Sequence, residues 1–260
     1  MRANRLPATV ALTVLAMAGV SSCDSGDAPD PAAGNGLAGL SAAEIVAKAQ
    51  AAGDRASSVR MTLRTALKDD HSAMTITAAR DGDCSQEMTE GDPILDGARR
   101  SREWVHVLRK NGQVFLKTDR SQGNGPSANG WWTTSRTPQS DLLDSCGMAF
   151  SLIRQLDTMT VGDTHGQWLR EGTTRIGGVP AVVLRYRAGD AVAELAAKPR
   201  KSTGMRIAVA AEGEPYLLRF ESGPAAERTI VRLGDYNAPV TVTAPPAEEV
   251  RDFDGATLPN

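Results

Sequence analysis

The stretch MRIAVAAEGEPYLLRFES, residues 205–222, predicts a β-hairpin. Every second residue is apolar on both sides of the segment EGEP, which is rich in turn-forming residues. This period of two is typical of strands that bury one face and expose the other. The apolar positions are Met205, Ile207 and Val209 before the turn, and Tyr216, Leu218 and Phe220 after it.

The same alternation recurs on both sides of this hairpin. It is found in SVRMTLRTAL (residues 58–67), in the segment that follows it, and in VPAVVLRYR (residues 179–187). In EWVHVLRKNGQVFLKT, residues 103–118, the tripeptide KNG stands between two alternating runs and predicts a tight turn. The chain is therefore expected to form a series of antiparallel strands.

Two segments have helical spacing instead. In SAAEIVAKAQAAGDRA, residues 41–56, Ser41 and Glu44 have the spacing of a capping box at a helix start. In TPQSDLLDSCGMAFSLIRQLD, residues 137–157, apolar residues recur on one helical face. An antiparallel sheet with one apolar face must cover that face, and two modest helices can do so only if the sheet curls around them. The predicted fold class is thus α+β, a curled antiparallel sheet or half-barrel wrapped around a few helices.

The N-terminus has the three parts of an export signal over residues 1–22: a basic start, an apolar core and small residues before the cut. The segment VSSC, residues 20–23, resembles the bacterial lipobox, in which the cysteine, here Cys23, receives two acyl chains. Residues 23–40 are then expected to form the lipidated start and a flexible tether, 41–250 the folded domain and 251–260 a tail. A plain secreted protein with a free cysteine is the alternative.

If Cys23 carries lipid, Cys84 and Cys146 remain as one pair in an oxidising compartment. We expect them to form a structural disulfide. A redox-active pair is the alternative, but these two cysteines lack the C-x-x-C spacing of such motifs. On the loop-entropy model the bridge would stabilise the folded state by about 4 kcal/mol.

Over residues 41–250, the order of segments resembles actinobacterial lipoproteins of the LppX/LprG type, whose fold is akin to the LolA and LolB lipoprotein carriers. The resemblance rests on ASSVRMTLR, TRIGGVPAVVLRYR, IAVAAEGEPYLLRFES and GDYNAPVTVTAPPAEEV. It implies a carrier that binds a lipid, glycolipid or acyl chain in an apolar cavity. The inward-facing strand residues expected to border that cavity are Val59, Met61, Leu63, Met74, Ile76, Val182, Leu184, Met205 and Ile207.

Other functional classes have little support in the sequence. The net charge of −2 provides no basic field for nucleic acid. His71, His106 and His165 lie far apart and lack the spacing of a zinc site, and no nucleophile elbow or phosphate-binding glycine loop is present. We therefore expect no enzyme, metal or cofactor, and a lipid-anchored protein on the extracytoplasmic face of the cell membrane. The same apolar residues could equally fill a solid core, so the alternative function is an envelope scaffold or signalling partner without a ligand.

Overall fold

The computed structural model describes residues 34–67, 70–90, 103–119, 130–133, 145–158, 166–187, 204–224 and 227–252. Within these residues, twelve strands form one open sheet and two helices lie on it, which confirms the predicted fold class. The elements are α1 (Ala42–Arg55), β1 (Ser58–Leu67), β2 (Asp70–Ala79), β3 (Cys84–Glu90), β4 (Glu103–Lys110), β5 (Gln113–Thr118), β6 (Trp131–Thr133), α2 (Ser145–Thr158), β7 (Gln167–Ile176), β8 (Val179–Arg187), β9 (Arg206–Ala210), β10 (Leu217–Ser222), β11 (Thr229–Gly234), a 3-10 helix (Ala247–Glu249) and β12 (Val250–Asp252).

The sheet consists of two antiparallel meanders, β1–β6 and β7–β11. They are joined in the middle, where β1 pairs with β11 and Met61 lies opposite Leu233. After β11 the chain reaches the far edge of the sheet, where β12 pairs in parallel with β6. At the centre of the sheet, the first strand of one meander, β1, is thus the neighbour of the last strand of the other, β11, although the two are remote in sequence.

Two hairpins have turns whose residues explain their geometry. Asn111 and Gly112, with φ of 51° and 78°, connect β4 to β5, and Gly177 and Gly178, with φ of 58° and 86°, connect β7 to β8. Two successive residues with positive φ form the turn that best matches the twist of a hairpin, and Asn and Gly adopt this conformation at little cost. The turn predicted at KNG is confirmed.

The hairpin of β9 and β10 contains an irregularity that the alternation did not predict. The register shifts between Leu217 and Arg219, which is typical of a β-bulge. As a result Leu217 and Phe220 face the core, whereas Leu218 joins a small apolar cluster on the opposite face. The expected placement of Tyr216, Leu218 and Phe220 on one face is therefore wrong, because the extra residue of the bulge reverses the alternation.

Helix α1 begins as predicted. The hydroxyl of Ser41 accepts a hydrogen bond from the Glu44 N–H at 3.3 Å, and the Ser41 N–H donates to the Glu44 carboxylate at 2.7 Å. Near its other end, Gly53 faces Ile153 of α2, and a Cβ at position 53 would lie 2.7 Å from the Ile153 Cγ2. The absence of a side chain at Gly53 allows the two helices to approach closely.

The packed chain extends beyond the expected limits of the domain. Leu37 is fully buried in the core, and the Asn35 side-chain amide donates to the Ala210 carbonyl at 2.9 Å. Residues 34–40, expected to belong to the tether, thus pack on the sheet, and β12 continues to Asp252. Cys23, with the rest of the predicted signal segment, and most of the predicted tail lie outside the described residues.

Candidate functional site

All nine residues expected to border a cavity lie in one apolar cluster on the concave face of the sheet. Seven are buried, while Leu63 and Met205 are partly buried and pack against the others. The helices contribute Ile45, Ala49, Ile153 and Leu156 to the same cluster. The structure therefore brings the nine residues together beneath α1 and α2, where they contact helix side chains.

The predicted disulfide is present between Cys84 and Cys146, whose Cα atoms are 5.9 Å apart. It joins the first residue of β3 to the first turn of α2, and both cysteines are buried. The bond fixes one end of α2 against the sheet.

Beside this disulfide, α2 borders a cleft of about 890 Å³. One wall is the tight turn between β2 and β3, and the other is one side of α2. The cleft is open to solvent along one side, and its volume lies within the roughly 300–1,000 Å³ of small-molecule sites. The lining residues include Arg80, Arg109, Met148, Phe150, Leu152 and Arg154.

Three arginines line the cleft, Arg80, Arg109 and Arg154, and they differ in the partners of their side chains. Arg80 donates to the carbonyls of Ala56 and Gly53 at 2.7 and 2.8 Å, and its guanidinium lies 4.6 Å from the centre of the Phe150 ring. It therefore binds the end of α1 and packs on α2.

Arg154 and Arg109 differ in their access to anions. Arg154 forms an exposed ion pair with Asp54 at 3.1 Å. Arg109 lies directly opposite Cys84 on the concave face and is partly buried, and it has no ion-pair partner among the described residues. Arg109 is consequently the cleft cation whose charge is available to a ligand.

The α2 wall adds apolar surface next to these charges. Met148 is 37% exposed, which is high for a methionine side chain. Phe150 and Leu152 are partly buried and pack against the main core cluster. A cleft with one available cation and a flexible apolar wall suits a molecule that has an acidic group and an apolar chain, because thioether side chains adapt to irregular ligands.

Sequence reasoning did not select Arg80, Arg109 or Met148. A signal for Arg109 exists, because Val105, Val107 and Arg109 share one face of β4 and a cation at an apolar position of the alternation is unusual. Arg80 and Met148 carry no comparable signal. Their roles depend on contacts between α1, α2 and a turn that are distant in sequence.

The described part of the chain holds no cluster of three or more His, Cys, Asp or Glu side chains suited to a metal ion. His106 lies on the convex face, 5.1 Å from the Trp131 ring centre. Burial lowers the pKa of His106 below its usual value, and Lys117 acts in the same direction while Glu87 opposes it. His165 lies outside the described residues.

No helix in the described ranges has both the length and the apolar character needed to cross a bilayer.

Neither a scan of protein-family models nor a search of curated proteins gave a match. Solved structures did match. LprF from Mycobacterium bovis aligns with a TM-score of 0.50 and 14% identity over 78% of this chain and 96% of LprF. The lipoprotein LppX from Mycobacterium tuberculosis aligns with a TM-score of 0.42 and 14% identity over 77% of this chain and 99% of LppX. The expected resemblance to actinobacterial lipoproteins of the LppX/LprG type is thereby confirmed at the level of the fold.

Proposed function

We propose that this protein is a membrane-anchored extracytoplasmic lipoprotein that binds an amphiphile with an acidic head group and an acyl chain. The observation that carries the proposal is the cleft beside α2, which combines a ligand-sized volume, the available guanidinium of Arg109 and the exposed Met148. The fold shared with LprF is compatible with this function but does not identify a ligand.

The acidic group of the ligand binds Arg109. A guanidinium forms two parallel hydrogen bonds to a carboxylate or phosphate, and such charge-assisted bonds are stronger than neutral ones. Because Arg109 is partly buried, a bound anion is less screened by solvent than at an exposed arginine. Arg80 adds positive potential, but its hydrogen bonds to the end of α1 hold it in place as part of the wall.

The acyl chain lies along α2. Met148 and Leu152 provide apolar surface on the cleft side of the helix, and burying that surface contributes roughly 25 cal/mol per Å². This location differs from the one expected from the sequence, since the nine predicted lining residues already pack against α1 and α2. The bound ligand would therefore sit at the margin of the core rather than at its centre.

The anchor is proposed at Cys23, after removal of residues 1–22. Two acyl chains on this cysteine would give stable attachment, since one chain gives only marginal binding at about 0.8 kcal/mol per buried methylene. Cys23→Ala should leave an unprocessed precursor or a released protein, as judged by fractionation and by incorporation of labelled palmitate. A variant that remains in the membrane at the mature size would contradict the anchor.

A second candidate function is an envelope scaffold with a filled interior. The observation that favours it is the packing of all nine expected lining residues into one cluster with helix side chains. In that case the cleft beside α2 would be a surface depression without a lipid ligand.

Fluorescent amphiphiles separate the two functions. A fatty acid probe and the matching neutral fatty alcohol are titrated into the chain from residue 24 onward, which retains every described residue. For Arg109→Gln we expect at least tenfold weaker binding of the acid and a change below about twofold for the alcohol, because only the acid uses the charge. The matched control, Arg228→Gln, removes another partly buried arginine, one that does not line the cleft.

A second variant tests the apolar wall. Leu152→Trp places a larger side chain on the cleft side of α2 and should weaken both probes. If the parent chain binds neither probe, or if Arg109→Gln and Arg228→Gln affect the acid equally, the ligand proposal is wrong and the scaffold function is favoured.

A further inference from the structure

The convex face of the sheet carries a row of arginines across five neighbouring strands. The concave residues of β1, β11, β10, β9 and β8 are apolar, and the positions between them point to the opposite face. The cross-strand pairs Arg219–Arg232 and Arg185–Arg206 place like charges directly opposite each other. The arginines of this face include Arg60, Arg64, Arg185, Arg206, Arg219 and Arg232.

Carboxylates neutralise one side of this row. Glu171 lies 2.8 Å from Arg206 and 3.9 Å from Arg185, and Glu221 forms an ion pair with Arg219. The three arginines of β8–β10 therefore have counter-charges within the protein.

The other side remains positive. Arg60, Arg64 and Arg232, which we call the arginine patch, are exposed, and Arg64 and Arg232 have no ion-pair partner in the described part of the chain. Arg60 is 3.8 Å from Asp235, with both side chains more than half exposed, so this pair is weak. Because Arg232 lies opposite Thr62, Arg60 and Arg64 are its two diagonal neighbours. Diagonal neighbours are within reach of each other when their side chains are long, so these like charges repel, and a counter-charge from outside the protein would relieve the repulsion.

We propose that the arginine patch docks the convex face onto an anionic lipid bilayer. The three guanidinium groups extend from the same face of two adjacent strands, with the short side chain of Thr62 between them. This arrangement presents charge over an area and does not converge on one point, which suits a plane of phosphate groups better than a single small anion. Arginine keeps its charge at any physiological pH and binds phosphate oxygens in pairs.

The position of Gly34, the first described residue, is compatible with this orientation. Gly34 packs on the turn after β9, where an added Cβ would lie 3.1 Å from the Glu212 Cγ. The ten residues 24–33 separate Gly34 from Cys23, and a segment of that length reaches at most about 40 Å. This step alone rests on the proposed anchor. Docking through the convex face leaves the concave face and the cleft beside α2 directed away from the bilayer.

Vesicle binding tests the patch without the anchor. The chain from residue 24, with no acyl group, is sedimented with vesicles of phosphatidylcholine and with vesicles that also contain phosphatidylglycerol. Each arginine near an anionic surface raises the partition coefficient about fivefold, so the triple variant Arg60→Ser, Arg64→Ser, Arg232→Ser should lose about a hundredfold in binding to the anionic vesicles.

The control variant removes the same number of charges elsewhere. Lys48→Ser, Arg55→Ser, Arg251→Ser changes exposed residues on α1 and β12, and it should lose less than tenfold. The triple replacement by lysine at the patch keeps the charge and should retain binding, and raised salt should release the parent protein. Circular dichroism checks that each variant is folded.

The proposal is overturned if the parent does not prefer anionic vesicles, or if both triple serine variants lose binding equally. An acidic protein partner would be indicated instead if the parent ignores anionic vesicles. Because the assay contains no acyl anchor and no fatty acid probe, its outcome is independent of the proposed ligand and anchor.

Discussion

Helices α1 and α2 are each fourteen residues long and cover the same concave face, yet they are held there by different means. α1 is fixed by nearby sequence: its capping box satisfies its start, and only two residues separate it from β1. α2 is fixed by a covalent bond to β3, across a sequence separation of 62 residues, and one side of it borders the cleft. The comparison teaches that a helix with a cleft along one side can be secured by a covalent bond in addition to the core contacts of its other side.

The substitution expected to change the difference between the two helices most is the one that removes the disulfide. In the double variant Cys84→Ala, Cys146→Ala, we expect the free energy of unfolding to fall by about 4 kcal/mol, because the closed loop no longer restricts the unfolded chain. Hydrogen exchange should rise more in α2 than in α1. Urea denaturation and exchange measured by mass spectrometry check both results.

Reduction of the parent protein is the matched control for that variant. A reducing agent should lower the stability of the parent to that of the double variant and should leave the double variant unchanged. Equal midpoints for oxidised parent and double variant would mean that the bond does not hold α2.

A smaller effect is expected where the two helices touch. For Gly53→Ala we expect a net loss of about 1 kcal/mol in the free energy of unfolding, because overpacking against Ile153 costs about 1–3 kcal/mol while alanine gains up to about 1 kcal/mol in helix propensity. Thermal and urea unfolding measure the change.

A substitution at Ile153 tests whether the cost of Gly53→Ala comes from the contact between the two helices. Combined with Ile153→Ala, which removes the crowded methyl groups, Gly53→Ala should cost much less than it does alone, so the double-mutant cycle should give a favourable coupling. Ala51→Gly, at an exposed position of α1, measures the propensity term separately. Additive effects of the two contact substitutions would argue against close packing at this point.

The smallest expected effect concerns α1 alone. Ser41→Ala should destabilise the protein by about 1 kcal/mol, because the Glu44 N–H at the helix start loses the Ser41 hydroxyl as its acceptor. Hydrogen exchange should rise at the first turn of α1 and remain unchanged in α2. An equal rise in both helices would mean that the cap acts through the whole core.

Ser41→Ala should also change how the stability of the protein depends on pH. Hydrogen bonds from the side chain and backbone of Ser41 lower the pKa of Glu44 below its usual value. A carboxylate with a lowered pKa in the folded state stabilises that state above the unfolded pKa of about 4.3, and this contribution is lost as pH falls through the folded pKa. In Ser41→Ala the pKa of Glu44 should rise toward its usual value, as an NMR titration would measure, and the acid side of the stability profile should become flatter.

Several parts of the fold were predictable because their signals are local. The capping box of Ser41 and Glu44 and the turn at Asn111–Gly112 depend on neighbouring residues only. The bulge at Leu217–Arg219 was not predictable, since a sequence with regular alternation of apolar and polar residues is compatible both with an unbroken strand and with a strand whose pairing shifts by one residue. The pairing of β1 with β11 also has no local signal, because it depends on which strand edges remain after the hairpins form.

The candidate site was predictable only in part. Period two placed the nine apolar residues on one face, and the structure brings them together. Whether they border a space depends on how deeply Ile45 and Ile153 enter the concave face, which no pattern within a strand can indicate. The cleft was missed because its walls come from α2, the end of β4 and a turn, which no single segment of sequence contains.

The pairing of β1 with β11 also bears on how the chain is made. In an exported chain β1 emerges from the membrane before β2–β10, whereas its second neighbour, Thr229–Gly234, emerges only after them. Until then the first meander has an unpaired edge in its final position at the centre of the sheet, and such edges promote pairing with other molecules. Strand pairs that are distant in sequence also form slowly, because a long loop must close before any stabilising contact between the strands can form. We therefore expect exported chains to require protection by a chaperone until β11 is available to pair with β1.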